Sequence, residues 1–152
     1  MKLLRHGTDG KEKPGMLDDA GVIRDLTGIL DDIMGEALLP KKIEYLSAMD
    51  HSSLPVVGEE QRFGPCVERV GKFICIGLNY SDHAEETGQK VPPEPIIFAK
   101  ATSAICGAND DVIIPRNSIK TDWEVELGVV IGKPAKYVDE DSALDHVAGY
   151  CV

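Results

Sequence analysis

Apolar residues fall in short runs along this chain, and the spacing within each run predicts a mixture of strands and helices. Residues 2–6 predict a strand. Residues 14–27 predict a hairpin, in which Met16-Leu17 and Val22-Ile23 flank a turn at Asp18-Asp19-Ala20-Gly21. Pro40 suits the first turn of a helix running to about Met49, with Ile43, Leu46 and Met49 on one side. Residues 50–66 are rich in Ser, Pro and Gly and predict a connecting loop that divides two domains.

The texture changes beyond that loop. Phe73-Ile74-Cys75-Ile76-Gly77-Leu78 is almost wholly apolar, as a buried strand would be. The polar stretch 79–88 predicts two turns of helix with Gly88 as the stop. Pro92, Pro93 and Pro95 force an extended path into a strand at Ile96-Ile97-Phe98-Ala99-Lys100. A turn at Asn109-Asp110-Asp111 precedes a strand at Val112-Ile113-Ile114-Pro115. Residues 121–131 give the strongest strand signal of all. Residues 139–147 predict a short helix with an acidic first turn that suits its dipole. Gly149-Tyr150-Cys151-Val152 then reads as a strand just beginning, which predicts that the molecule is a piece of a longer protein.

Composition narrows the function. The 152 residues suffice for one domain or two small ones, and 43% of them are hydrophobic. A net charge of −10 argues against nucleic acid and against an anionic membrane surface, both of which require basic residues. No run approaches the roughly 18 apolar residues of a membrane span, and the N-terminus lacks the apolar core of a signal peptide. The expected compartment is the cytoplasm. The four cysteines, Cys66, Cys75, Cys106 and Cys151, show no zinc spacing and are expected as reduced thiols, mostly in the core.

Two segments carry candidate chemistry. In Asp122-Trp123-Glu124-Val125-Glu126-Leu127 the carboxylates fall on alternate positions, so on a strand they share one face. Residues two apart lie about 6–7 Å apart at the backbone, close enough to converge on one cation. Oxygen donors favour Mg²⁺, Mn²⁺ or Ca²⁺. The same pattern also fits an edge strand with a solvated acidic face. In the predicted helix, His83 and Glu86 are three apart and share a face. A carboxylate beside an imidazole fixes its tautomer and makes a general base for water, although an ordinary surface contact fits equally. Lys100, at a strand end, suits an oxyanion or a substrate carboxylate, or simply solvent. His6, His51 and His146 have no evident partner.

These segments resemble, in order, the motifs of the fumarylacetoacetate hydrolase family. The blocks are 72–83 with Glu86, then 95–100, then 122–132, then Val147-Ala148-Gly149-Tyr150. The likeness covers residues 70–152 firmly, and the first 65 residues look more loosely like the small N-terminal domain of many members. The resemblance implies an α+β fold: a small N-terminal domain over residues 1–66, then the first half of a mixed β-roll over residues 67–152. It implies Mg²⁺ or Mn²⁺ on Glu124 and Glu126, His83 and Glu86 as the water-activating dyad, and Lys100 as a substrate or oxyanion contact. It also implies a small oxo-acid substrate and, at full length, a homodimer.

The implied reaction is metal-dependent hydrolysis of a C–C bond in a 2,4-diketo acid. The block from Lys72 to Tyr80 looks most like members acting on 2,4-diketo-3-deoxy sugar acids, often labelled ureidoglycolate lyase. Lyase, isomerase or decarboxylase chemistry on the same site, or a non-catalytic remnant, are the alternatives. The family's third metal carboxylate is expected beyond Val152, so this chain alone is expected to have little or no activity.

Overall fold

The hairpin signal at the N-terminus becomes a three-stranded antiparallel sheet in the computed structural model, which describes residues 1–58 and 61–152. Its strands are β1 (Lys2–His6), β2 (Lys13–Leu17) and β3 (Ile23–Asp25), in the order β1-β2-β3. Asp18 closes the β2–β3 turn. Its Oδ1 accepts from the amides of Ala20 and Val22 at 2.9 Å, and its Oδ2 accepts from Arg24 Nε at 2.8 Å. Gly21 supplies the positive φ of 78° that the turn requires.

Helix α1 (Pro40–Ala48) starts where Pro40 predicts, behind a single 3₁₀ turn at Gly35–Leu38. Of the expected apolar side, Leu46 is fully buried and Ile43 and Met49 are half-buried. Leu46 joins Met16, Leu26, Leu30 and Ala37 in the core, with Leu3, Ile29, Met49 and Leu54 against it. The expected loop follows, with one 3₁₀ turn at His51–Ser53. Residues 59 and 60 of that loop lie outside the described residues. Its far end returns to the sheet, where Phe63 bridges His6 and the Gly64 amide donates to Arg5 O at 2.9 Å.

A charged network fastens this return. Arg5 is 4% exposed and pairs with Asp32 at 2.7 Å, Glu68 at 2.5 Å and Glu12 at 3.6 Å. Arg62 reaches Glu12 at 2.7 Å and Asp110 at 2.6 Å. An unpartnered guanidinium could not be buried so deeply, and each pairing here adds a charge-assisted hydrogen bond.

The chain groups into two units, residues 1–68 with 106–152, and residues 69–105. In the second unit, β4 (Ile74–Gly77) pairs antiparallel with β5 (Ile96–Ala99), so the strands form as expected, but Ile74 and Ile76 are exposed and β4 is not the buried strand its apolar run predicts. Helix α2 (Ser81–Glu86) lies between them in sequence and buries only Ala84. Gly88, at φ 67°, ends it: its amide donates to Glu85 O at 2.9 Å, and the Gln89 amide donates to Ala84 O at 2.8 Å. In the first unit, β6 (Gly128–Ile131) pairs antiparallel with β7 (Val147–Cys151), with a register shift at Val130/Ile131.

Three expectations are corrected. Residues 112–115 form no strand, and Val112, Ile113 and Ile114 are exposed. Of the strand expected over 121–131, only Gly128–Ile131 forms. Apolar patterning specifies a face, but a strand needs a ladder with a neighbour, and among the described residues no strand ladder extends over 121–127. The helix expected over 139–147 is a 3₁₀ segment, Glu140–His146, because Val147 is already drawn into β7.

Candidate active-site residues

Helix α2 presents His83 and Glu86 three positions apart, and both are exposed. The order of local forces is plain from the sequence. Tyr80 is extended, Asp82 stands in the first turn, and Ala84 is the one position turned inward. The Asp82 carboxylate accepts from the His83 amide at 2.9 Å, and the Thr87 hydroxyl donates to His83 O at 2.9 Å. Among the described residues no hydrogen bond joins the His83 ring to Glu86. Leu78, between β4 and α2, is held at φ 51°, a left-handed conformation costly for a leucine. Lys100 follows β5; its amide donates to Phe73 O at 3.0 Å and its side chain is exposed.

The carboxylates of the other segment lie in the first unit. Asp122, Glu124 and Glu126 are all exposed and stand outside any strand. Asp122 turns to its own backbone, accepting from the Trp123 amide at 2.9 Å. Among the described residues no group of three or more His, Cys, Asp or Glu side chains is placed to hold a metal ion. Two glutamates on an irregular, solvated segment do not by themselves fit Mg²⁺, which gives up its water reluctantly. A cavity of about 670 Å³ against residues 27–42 contains none of these residues.

Of the histidines without predicted roles, one makes a backbone contact and two bury an unbonded ring nitrogen. His51 Nε2 lies 2.7 Å from Leu46 O, at the end of α1. His6 is 5% exposed, and its Nε2 has no hydrogen-bond partner among the described residues. His146 Nδ1 is likewise buried without one. The cysteines are free, as expected, but not in the core: Cys66 and Cys106 are exposed and Cys75 and Cys151 half-buried. The Cys66 sulfur is shielded even so, and burial, together with the neighbouring Cys151 thiol, pushes its pKa up to about 11. Such a thiol is a poor nucleophile at neutral pH. No local pattern marks the Arg5–Arg62 network, most of whose pairs join distant parts of the chain; it contributes stability rather than chemistry.

No helix among the described residues is long and apolar enough to cross a membrane. Two relatives, proteins assigned as hydrolases from Burkholderia multivorans and Burkholderia ambifaria, are each 60% identical over all 152 residues. The match covers 54% of each relative, so the chain spans about half their length. Two solved structures superpose on 99% of this chain and 53% of their own, both at 27% identity. One is a fumarylacetoacetate hydrolase from Exiguobacterium antarcticum, with a TM-score of 0.68. The other is a protein assigned as HpcE from Mycobacterium smegmatis, with a TM-score of 0.70. The family model for the fumarylacetoacetate hydrolase C-terminal region matches residues 72–152, the stretch that holds His83, Glu86, Lys100, Glu124 and Glu126. By that match over more than half its length, this chain belongs to the fumarylacetoacetate hydrolase family.

Proposed function

We propose that this chain is part of a hydrolase that cleaves a C–C bond in a 2,4-diketo acid, of the acylpyruvate or 2,4-diketo-3-deoxy sugar acid type. The observation that carries the reading is the family match across the segment bearing the ordered set His83, Glu86, Lys100, Glu124 and Glu126. Exposure of His83 and Glu86 on one helix supports it, because a base that serves water and substrate needs to be reachable. In this reading residues 1–66 are the small N-terminal domain and residues 67–152 the first half of the catalytic β-roll.

His83, oriented by Glu86, takes a proton from water. The resulting hydroxide attacks the 4-carbonyl, and the bond between C3 and C4 breaks. The electron pair leaves as the enolate of a 2-oxo acid, which then takes up a proton at C3. Lys100 offsets the charge that develops on oxygen. A divalent ion, Mg²⁺ or Mn²⁺, belongs to this reading with Glu124 and Glu126 among its donors, and it would supply Lewis acidity to the chelated oxygens. The remaining donors come, in this proposal, from the part of the relatives' length that these residues do not cover.

His83→Ala, in a protein extended to the relatives' full length, is expected to lower kcat on a 2,4-diketo acid by roughly 10²–10⁴-fold. Mg²⁺ affinity, read by titration calorimetry, should hardly change. Undiminished turnover would remove His83 from its role. Product analysis on the same acid distinguishes hydrolysis from lyase, isomerase or decarboxylase chemistry. The proposed setting is a cytoplasmic homodimer with no nucleic-acid or membrane partner.

A further inference from the structure

Two of the four cysteines meet in the first unit. Cys66 lies where the long loop returns to the sheet, Cys151 ends β7, and their thiols are hydrogen-bonded to one another. The backbone fixes both. Around Cys66, Arg5 Nη1 donates to Pro65 O at 3.4 Å and the Glu68 amide donates to Ile33 O at 3.0 Å. Cys151 is held opposite Gly128 in the β6–β7 ladder. Gly128 also leaves room for the thiol, since a Cβ at that position would stand 2.6 Å from Cys151 Sγ. Of the other two cysteines, Cys75 belongs to the second unit and Cys106 is exposed. A disulfide requires Cβ atoms about 3.5–4.5 Å apart, and thiols in hydrogen-bond contact reach that separation by small side-chain rotations.

We propose that Cys66 and Cys151 are a redox modification site, at which an oxidant of the peroxide class converts the paired thiols into a disulfide. The Cys151 thiolate attacks one peroxide oxygen, the O–O bond breaks, and the departing hydroxide takes up a proton to become water. Cys151 is then a sulfenic acid. Cys66 gives its proton to solvent and attacks the Cys151 sulfur; the S–S bond forms, the S–O bond breaks, and a second water leaves. The two sulfurs together lose two electrons, and the peroxide gains them. Cys66 suits the second step. Burial is the largest cause of its resistance to ionisation, and the charge and hydrogen bond of Cys151, which add to it, are lost once Cys151 is oxidised. The link would close a loop holding His83, Glu86, Lys100, Glu124 and Glu126, and so restrain the unfolded chain over that whole stretch. The proposal rests on the geometry of the first unit and not on the catalytic reading, so the two fail separately.

Trypsin leaves the four cysteines on four separate peptides, because a lysine or arginine stands between each and the next. The test treats the 152-residue protein with hydrogen peroxide, alkylates the remaining thiols in denaturant, and maps the digest by mass spectrometry without reductant. The expected result is a linked pair, residues 63–69 to 137–152, that dithiothreitol separates. It should exceed every other pairing at least about tenfold, and free thiols should fall from four to two. Cys66→Ser and Cys151→Ser should each abolish the linked pair. Peroxide treatment in concentrated urea should erase its excess over the other pairings, because the fold no longer holds the two thiols together. Four thiols that survive peroxide, a Cys66 or Cys151 that ends as sulfinic acid or pairs with Cys75 or Cys106, or an undiminished excess in urea would each overturn the proposal. The map of the unsubstituted protein decides the matter where a serine variant fails to fold.

Discussion

Arg5 illustrates what a single position can demand of distant ones. On the edge strand β1 it is nonetheless buried, and its partners Asp32 and Glu68 lie 27 and 63 residues away in the chain. Arg5→Ala would strand Glu12 and Asp32 beside a cavity without their cation. Breaking such a buried pair typically costs about 3–5 kcal/mol, which urea unfolding followed by circular dichroism would register. A cost under about 1 kcal/mol would mean that water reaches the network. Its neighbour His6 makes a prediction about acid. Burial lowers the His6 pKa, with Lys13 in support, and Asp25 and Gln61 offset only part of this. The folded state thus binds this proton less readily than the unfolded chain. The stability His6 contributes is whole above its ordinary pKa of 6.5 and is lost as pH falls from there through the lower folded value. Urea midpoints at pH 5 and pH 7.5 should differ, and His6→Gln should shrink the difference; an unchanged pH slope would point elsewhere. The Arg5 pairs with Asp32 and Glu68 are not legible in the sequence, because contacts across 27 or more residues leave no local pattern.

Elements fared better where their cause is local. Pro40 and the i, i+3 spacing of Ile43 and Leu46 fix α1, Gly88 fixes the end of α2, and Asp18 with Gly21 fixes the β2–β3 turn. Leu46 is where that local logic meets the core, since it seats α1 on Met16 and Leu26. Leu46→Ala should cost about 2–5 kcal/mol by chemical denaturation, and a value near zero would mean α1 is not docked through that residue. Residues 112–115 and 121–127 depart from their strand signal for a non-local reason. The first is an apolar run and the second alternates, but a strand is defined by its neighbour, and the neighbour cannot be read from the segment itself. The same lesson governs the candidate site. The ordered motifs of His83, Glu86, Lys100, Glu124 and Glu126 were legible, whereas the donors that would complete a metal centre were not among the described residues.

For the whole molecule, one contact carries an unexpected corollary. Arg62 grips Asp110 with two hydrogen bonds of 2.6 Å, and the Asp110 carboxylate also accepts from the Gly107 amide at 2.6 Å. This clasp ties the chain just before residues 69–105 to the chain just after them. The second unit therefore behaves as an insert whose entry and exit are held by its host, the arrangement that makes domain insertion tolerable. Replacing 69–105 with a short Gly/Ser tether should leave the amides of Met16, Leu26 and Leu46 protected in hydrogen exchange, and collapse of that protection would show the insert to be structural. If the host survives, the N-terminal core owes its fold to residues 1–68 and 106–152 alone, and substitutions within 69–105 leave it intact.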